Sequence, residues 1–304
     1  MPWEKQGLLL PAPLPVPWAT SHAAMPIAHP LEDGRLRVYY SARDERSRAR
    51  IGAADVEPGG NAEHLPGPLL DVGALGAFDD SGVTGSCVVE VEGRRYLYYT
   101  GWSLGVTVPF YFSIGCAVSG VGEIGFERVS AAPVMGRTDV DPFLAASPWI
   151  LVENGLWRMW YVSCVRWTYE EGRPKHWYLI RYAESTDGIT WSPTGRICID
   201  FASPNEYAIS RPCVVNDGGL YRMWFGARGD AYRIGYAESG DGLNWRRNDS
   251  AAGIEGSPGS WDSAMQTYPA VVDHAGTRYL LYNGDGYGAT GIGYASERTS
   301  TLET

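Results

Sequence analysis

The sequence predicts an all-β protein, a five-bladed β-propeller of four-stranded antiparallel blades, on three observations. A strand–turn–strand text recurs five times, its turns carry Gly, and no stretch shows sustained helical periodicity. The recurrence is clearest in Leu220–Trp245, LYRMWFGARGDAYRIGYAESGDGLNW. This reads as two strands, an Asp-Gly turn at Asp241-Gly242, and a Trp that opens a third strand. Similar text lies at Leu156–Tyr161 with Leu179–Trp191, at Tyr96–Gly101 with Ser113–Ser119, at Leu36–Arg43 with Arg50–Asp55, and at Arg278–Gly284 with Gly291–Ser296. The aromatic residues closing the first strand of each unit are Tyr40, Tyr99, Tyr161, Phe225 and Tyr282. They fall about 60 residues apart, the near-constant period of a radial array.

Ahead of each pair stands a more apolar strand, expected to be innermost: Ala24–Pro30, Ser86–Val91, Pro148–Glu153, Pro212–Asn216 and Pro269–Asp273. Proline is tolerated at a strand's first residue, and each of these segments runs into a turn centred on Gly. The blades are then roughly 22–54, 79–129, 139–193, 205–247 and 262–297, within one domain spanning 1–304. The fifth unit lacks an outer strand, because few residues follow Ser296. Gln6–Leu10 is expected to supply it, closing the ring and removing the open edges of a linear array.

Composition narrows the function. The 38 Gly, 19 Tyr and 12 Trp suit many short strands and tight turns. A net charge of −10 argues against a nucleic-acid partner, which requires a basic footprint. The five cysteines, Cys87, Cys116, Cys164, Cys198 and Cys213, are odd in number and widely spaced. They read as reduced, buried thiols, with neither a disulfide frame nor a zinc site. The segment MPWEKQGLLLPAPLPVPW has no basic n-region or long apolar core, and no run can span a bilayer. A soluble, cytoplasmic protein with a small-molecule partner, no membrane contact, no cofactor and no metal is expected.

In a small propeller the inner strands and the loops entering them surround an axial pocket. Several residues ahead of four of the inner strands stand Asp79, Asp141, Glu206 and Asp262; the first blade has His22 there instead. Paired carboxylates are the equipment of glycosidic bond chemistry, one protonated acid and one ionised base or nucleophile. Glu206 departs from the pattern by type and precedes Ser210-Arg211-Pro212, which makes it the candidate general acid. Asp141 or Asp262 is the candidate base, His22 is a further catalytic candidate, and Asp79 and Arg211 would line the same pocket. The same recurrence also fits a repeated structural device, an acid that binds nearby backbone or caps a turn.

Other polar and aromatic residues follow the middle strands or precede the inner ones: Arg43, Trp102, Trp167, Arg228, Tyr268 and Asn283. Exposed Trp and Tyr stack on sugar rings, and guanidinium forks bind carboxylates or phosphates, so these are candidate substrate-binding residues. Trp157, Trp160, Trp191, Trp224 and Trp245 are assigned to the core. The Gly-rich Asn283–Ala295 is not a nucleotide loop, since a strand follows it, and no nucleophile triad signature occurs.

The repeats at Leu156–Trp191 and Leu220–Trp245, with WDSAMQTYPAVVDHAGTRYLLYNG at Trp261–Gly284, resemble those of the five-bladed β-propeller glycosidases. That group holds the arabinanase/β-xylosidase, invertase/levansucrase and β-mannoside phosphorylase families, and the resemblance spans nearly the whole chain. It implies a carbohydrate-active enzyme that cleaves or transfers a glycosidic bond of a small glycoside. In the arabinanase-like enzymes and the invertases the acids sit one or two residues before the inner-strand Pro. Here those slots hold Ala24-Met25, Ala146-Ser147, Ser210-Arg211 and Thr267-Tyr268, so the catalytic trio does not carry over in that register. Asp141 and Glu206 fall in the matching blades, several residues early. The phosphorylases imply an alternative, one acid with basic residues for phosphate, a part open to Arg43, Arg211 and Arg228. Another alternative is a non-hydrolytic propeller. It would bind sugar, or carry out acid/base rearrangement or cyclisation of a biosynthetic intermediate with His22 and the acids moving protons.

Overall fold

The computed structural model describes residues 3–120 and 122–298. The chain opens with β1 (Glu4–Pro11) and then lays down strands in groups. The first group is β2 (Ser21–Pro30), β3 (Leu36–Arg43), β4 (Ala49–Val56) and β5 (Ala62–His64). The second is β6 (Gly82–Val91), β7 (Arg94–Leu104), β8 (Phe110–Ser119) and β9 (Glu127–Arg128). The third is β10 (Ala145–Glu153), β11 (Leu156–Glu170), β12 (Arg173–Ser185) and β13 (Ser192–Ile199), and the fourth β14 (Ala208–Asp217), β15 (Leu220–Arg228), β16 (Tyr232–Ser239) and β17 (Arg246–Arg247). The last is β18 (Thr267–His274), β19 (Thr277–Asn283) and β20 (Gly291–Arg298).

These strands form three four-stranded sheets and one of eight. The eight-stranded sheet consists of the third and fourth groups, joined by a single parallel pair, Tyr178 with Ala208. The final sheet runs β1–β20–β19–β18, with β1 antiparallel to β20 from Glu4↔Ser296 to Pro11↔Gly291. First strands of successive groups pack in order, β2 on β6, β6 on β10, β10 on β14 and β14 on β18, and β18 packs on β2.

Middle strands such as β15 (LYRMWFGAR) are buried on both faces for most of their length, because each sheet is covered on either side by its neighbours. Apolar clusters fill these interfaces: Val38, Tyr40 and Leu281 between the last group and the first, Tyr98, Trp157 and Met159 between the second and third, Trp160, Met223 and Phe225 between the third and fourth. Polar bonds pin the same interfaces. The Tyr98 hydroxyl donates to Gly188 O (2.6 Å) and the Trp160 indole N–H to Gly242 O (2.8 Å), each reaching the Asp-Gly turn of the next group. Arg278 grips Asp217 of the preceding group at 2.6 and 2.8 Å. All five cysteines are buried and unpaired. Among the described residues no helix is long and apolar enough to cross a membrane.

The innermost strands differ from expectation in one respect. They begin several residues before the prolines, and each carries a register break, between Ala24 and Ile27 in β2, Gly85 and Cys87 in β6, Ala146 and Trp149 in β10, Ser210 and Cys213 in β14, and Thr267 and Ala270 in β18. In four of them a proline lies at the break, and its missing N–H interrupts the ladder so that the strand bulges and resumes; β6 has no proline and breaks at Ser86 instead. The residue before each Pro takes the left-handed conformation: Met25 (φ 58°), Ser147 (46°), Arg211 (52°) and Tyr268 (55°). Bulky side chains seldom adopt it, and strain of this kind, on the order of 1–3 kcal/mol per residue, gathers at functional sites.

Candidate ligand pocket

The bulged strands surround a cavity of about 250 Å³ to which every group contributes. The first group supplies His22, Met25 and Arg43, the second Thr84, Trp102, Phe110 and Phe112, and the third Ser147, Val162 and Tyr178. Ser210 and Tyr232 come from the fourth, and Tyr268 and Tyr287 from the last. Tyr287 sits in a helical turn, Asp285–Gly288, at φ 60°. The lining is aromatic and hydroxylic and holds no Asp or Glu.

The predicted carboxylates are elsewhere, each consumed by a lock that recurs around the molecule. Asp79 accepts from the Tyr99 hydroxyl (3.0 Å) and Arg128 Nε (2.8 Å). Asp141, fully buried, accepts from the Tyr161 hydroxyl (2.7 Å), Ser163 Oγ (2.5 Å) and Arg181 (3.2 Å). Asp262, also fully buried, accepts from Lys5 (2.6 Å), the Tyr282 hydroxyl (2.9 Å) and the Ser257 amide (3.1 Å). Burial opposes its charge, yet these donors hold its carboxyl below the ordinary range. In the fourth group the tyrosine is Phe225 and the acid is the longer Glu206. Arg247 binds Glu206 through both nitrogens (2.7 and 2.6 Å) and lies over the Phe225 ring. In the first group, with no acid, the Tyr40 hydroxyl meets His64 Nδ1 at 3.0 Å.

Other predicted residues divide. His22, Arg43, Trp102 and Tyr268 line the cavity. Asn283 is fully buried and spends its amide on backbone, accepting from Met25 N and donating to Ala23 O and Gly291 O. Trp167 packs behind the lining, against Phe110 and His176. Arg211 is fully buried, donates to Gly85 O and Pro26 O (2.6 Å each) and has no carboxylate partner among the described residues; burial lowers its pKa to about 10. Arg228 lies against the rings of Tyr207, Tyr232 and Tyr287.

Apart from the Arg43 guanidinium, the polar groups lining the pocket are neutral donors. Burial, and then Arg43, lower the pKa of His22, favouring the neutral imidazole. Burial pushes Tyr232 up to about 12 and raises Tyr178 and Tyr268, so all three stay protonated. The Tyr178 hydroxyl and the Trp102 indole N–H are buried with no hydrogen-bond partner among the described residues. Such groups are costly to leave unmade and suit a polar ligand. No group of three His, Cys, Asp or Glu that could hold a metal occurs among the described residues.

Sequence reasoning missed Tyr178, Tyr232, Tyr287, Ser147, Phe110 and Phe112. The slots before the prolines were the available signal, since Met25, Ser147 and Tyr268 occupy them and face the cavity.

His176 stacks on Tyr178 with centroids 4.0 Å apart. Burial, then Arg228 and Lys175, hold its pKa down to about 4. A histidine depressed in the folded state contributes stability above its unfolded pKa of 6.5, and that stability is lost as pH falls toward 4. His176→Phe is therefore expected to flatten the acid limb of the stability–pH curve by about 2–3 kcal/mol. Urea unfolding at pH 7 and pH 4.5 checks this, and equal pH dependence in both proteins refutes it.

No family model matches the chain. Among solved structures it is similar to a glycoside hydrolase, with TM-score 0.77 and 16% identity over 96% of this chain and 91% of that one. It is similar too to a thermostable family-43 glycoside hydrolase, with TM-score 0.66 and 17% identity over 95% and 92%. A third is the GH32 β-fructofuranosidase BmSUC1 of Bombyx mori, with TM-score 0.64 and 15% identity over 91% of this chain and 61% of that one. These likenesses give the fold alone, an all-β arrangement like that of these glycoside hydrolases. In sequence the chain is 45% identical over 298 residues to "Uncharacterized protein MT1551" and to "Uncharacterized protein Rv1502", both of Mycobacterium tuberculosis. Each alignment covers 97% of this chain and 99% of the relative. The chain therefore belongs to the family of these two mycobacterial proteins, on an all-β, glycoside hydrolase-like fold.

Proposed function

We propose that the chain is a single five-bladed propeller, closed by β1, whose axial pocket recognises a small sugar or sugar conjugate without paired-carboxylate chemistry. The blade count follows if the eight-stranded sheet is two blades touching at Tyr178–Ala208, and the cyclic packing of first strands supports it. The observation that carries the functional reading is the lining. Trp102, Tyr178, Tyr232, Tyr268 and Tyr287 offer ring faces and hydroxyl or indole donors, Ser147 and Ser210 add small hydroxyls, and no carboxylate is among them. Aromatic faces stack on the C–H faces of pyranose and furanose rings, and donors at their edges take the ring hydroxyls. Glycoside hydrolases among the structural neighbours favour a carbohydrate ligand. Acid/base work, if the pocket performs any, falls to the neutral His22, whose Nδ1 is 3.0 Å from Ser21 Oγ.

Calorimetric titration with a panel of mono- and oligosaccharides tests this, together with turnover assays on aryl glycosides with and without phosphate. Trp102→Ala is expected to weaken sugar binding about ten-fold or more while the fold survives. Phosphate-independent hydrolysis that disappears in folded Glu206→Gln would overturn the reading and restore a carboxylate glycosidase. Phosphate-dependent turnover would move the protein to phosphorolysis.

A further inference from the structure

One guanidinium lines this cavity and two more lie behind its wall, and none has a carboxylate partner among the described residues. Arg43 lines the cavity and enters no ion pair among the described residues, the neighbouring Asp44 being taken by Arg48 and Arg50. Arg228 backs two lining rings, its guanidinium carbon 5.4 Å from the Tyr232 centroid and 5.8 Å from that of Tyr287. Arg211, next to the lining residue Ser210, is fully buried and bonded only to two carbonyls, with Nε unpartnered. The protein as a whole carries 35 acidic against 25 basic residues, and arginines buried elsewhere, such as Arg158, Arg247 and Arg278, are matched to Glu153, Glu206 and Asp217. A local excess of positive charge, walled by aromatic rings and short of countercharge, is an anion site. Protonated tyrosine hydroxyls beside it add donors and no opposing charge.

We propose that the ligand is an anionic sugar, one bearing a phosphate ester or a carboxylate, with Arg43 binding the anionic group and Arg211 and Arg228 supplying the surrounding field. The proposal rests on the pocket reading above and names its substrate class. Arg43 projects from the end of β3, level with Ser21 of β2, which puts the anion on the first-group side of the cavity beside His22. The neutral imidazole offers a hydrogen bond there without adding charge. The sugar ring is left to the tyrosines and Trp102 of the other walls.

The test is titration calorimetry with glucose, glucose 1-phosphate, glucuronate and inorganic phosphate, at low and at physiological salt. The anionic sugars are expected to bind about 10–100-fold more tightly than glucose, a preference that weakens as salt screens it. Phosphate ester against carboxylate identifies which anion the site takes. Arg43→Gln should erase the preference for the anionic sugars over glucose, and Arg43→Lys should keep part of it. If Arg43→Gln fails to fold, the salt dependence of the wild-type protein decides. Equal affinity for glucose and its anionic counterparts would overturn the anion site while the sugar pocket stands. Binding of inorganic phosphate with no sugar would uphold the anion site and remove the sugar reading. Failure to bind any of the four would overturn both.

Discussion

Asp141→Ala is expected to cost about 3–5 kcal/mol of stability and to leave ligand binding intact in the protein that remains folded. The carboxylate is fully buried and serves three donors, so its removal strands the Arg181 guanidinium and the hydroxyls of Tyr161 and Ser163. Stranding a charge costs more than the pair was worth, because the desolvation penalty stays when the attraction goes. Two controls follow from that reasoning. Asp141→Asn keeps an acceptor and should cost only about 1–3 kcal/mol. Adding Arg181→Met to Asp141→Ala should recover part of the loss, since no uncompensated charge is then left. Denaturant unfolding measures all three. An unchanged midpoint in Asp141→Ala, or folded variant that no longer binds sugar, would return Asp141 to the candidate site.

Trp160→Ala should cost about 3–5 kcal/mol as well, for a different reason. This indole has no exposed surface, packs against Tyr182, Tyr221 and Trp245, and bridges the third and fourth strand groups. Truncation leaves a cavity at a junction where neighbouring sheets cannot easily collapse. Its hydrogen bond matters less. Gly242 O also accepts from the Trp245 indole at 3.0 Å, so losing the Trp160 donor does not orphan the carbonyl. Trp160→Phe should therefore cost much less than Trp160→Ala, about 1–2 kcal/mol. Equal losses from the two substitutions would mean that the hydrogen bond, not the packing, holds the junction.

The strand order was legible because each group repeats a Gly turn and an aromatic middle strand, and the third and fourth groups add an Asp-Gly turn and a Trp. Asp187 and Asp241 show why that text is fixed. Each accepts backbone N–H groups two and three residues on, closing a turn whose Gly carbonyl is the neighbour's hydrogen-bond target. Of the residues the text singled out, His22, Arg43, Trp102 and Tyr268 line the cavity and the acids do not. The acids recur at the right place in the chain, but sequence spacing does not say whether a side chain turns to the axis or back into its own sheet. One signal did lie in the text: Tyr99, Tyr161 and Tyr282 each stand 20 residues after their Asp, and where the Tyr becomes Phe225 the Asp becomes Glu206. Paired change of that kind marks mutual contact, not a shared substrate. Tyr178, Tyr232 and Tyr287 lay hidden among many aromatics, since their facing depends on bulges and on a left-handed turn that no periodicity reveals.

The pairing of β1 with β20 sets the order of events when the polypeptide is made. Residues that pair with Gly291–Ser296 leave the ribosome long before that segment does and wait for a partner nearly 290 residues on. Until then β1 is an unsatisfied edge, and once β19 has emerged only β18 and β19 of the last sheet's four strands can pair. Closing so long a loop is entropically slow, so completion of this sheet is expected to be the late step of biogenesis. A nascent chain arrested before β20 would expose both Leu10 and the apolar face of β19, the surfaces that chaperones hold and that aggregation exploits.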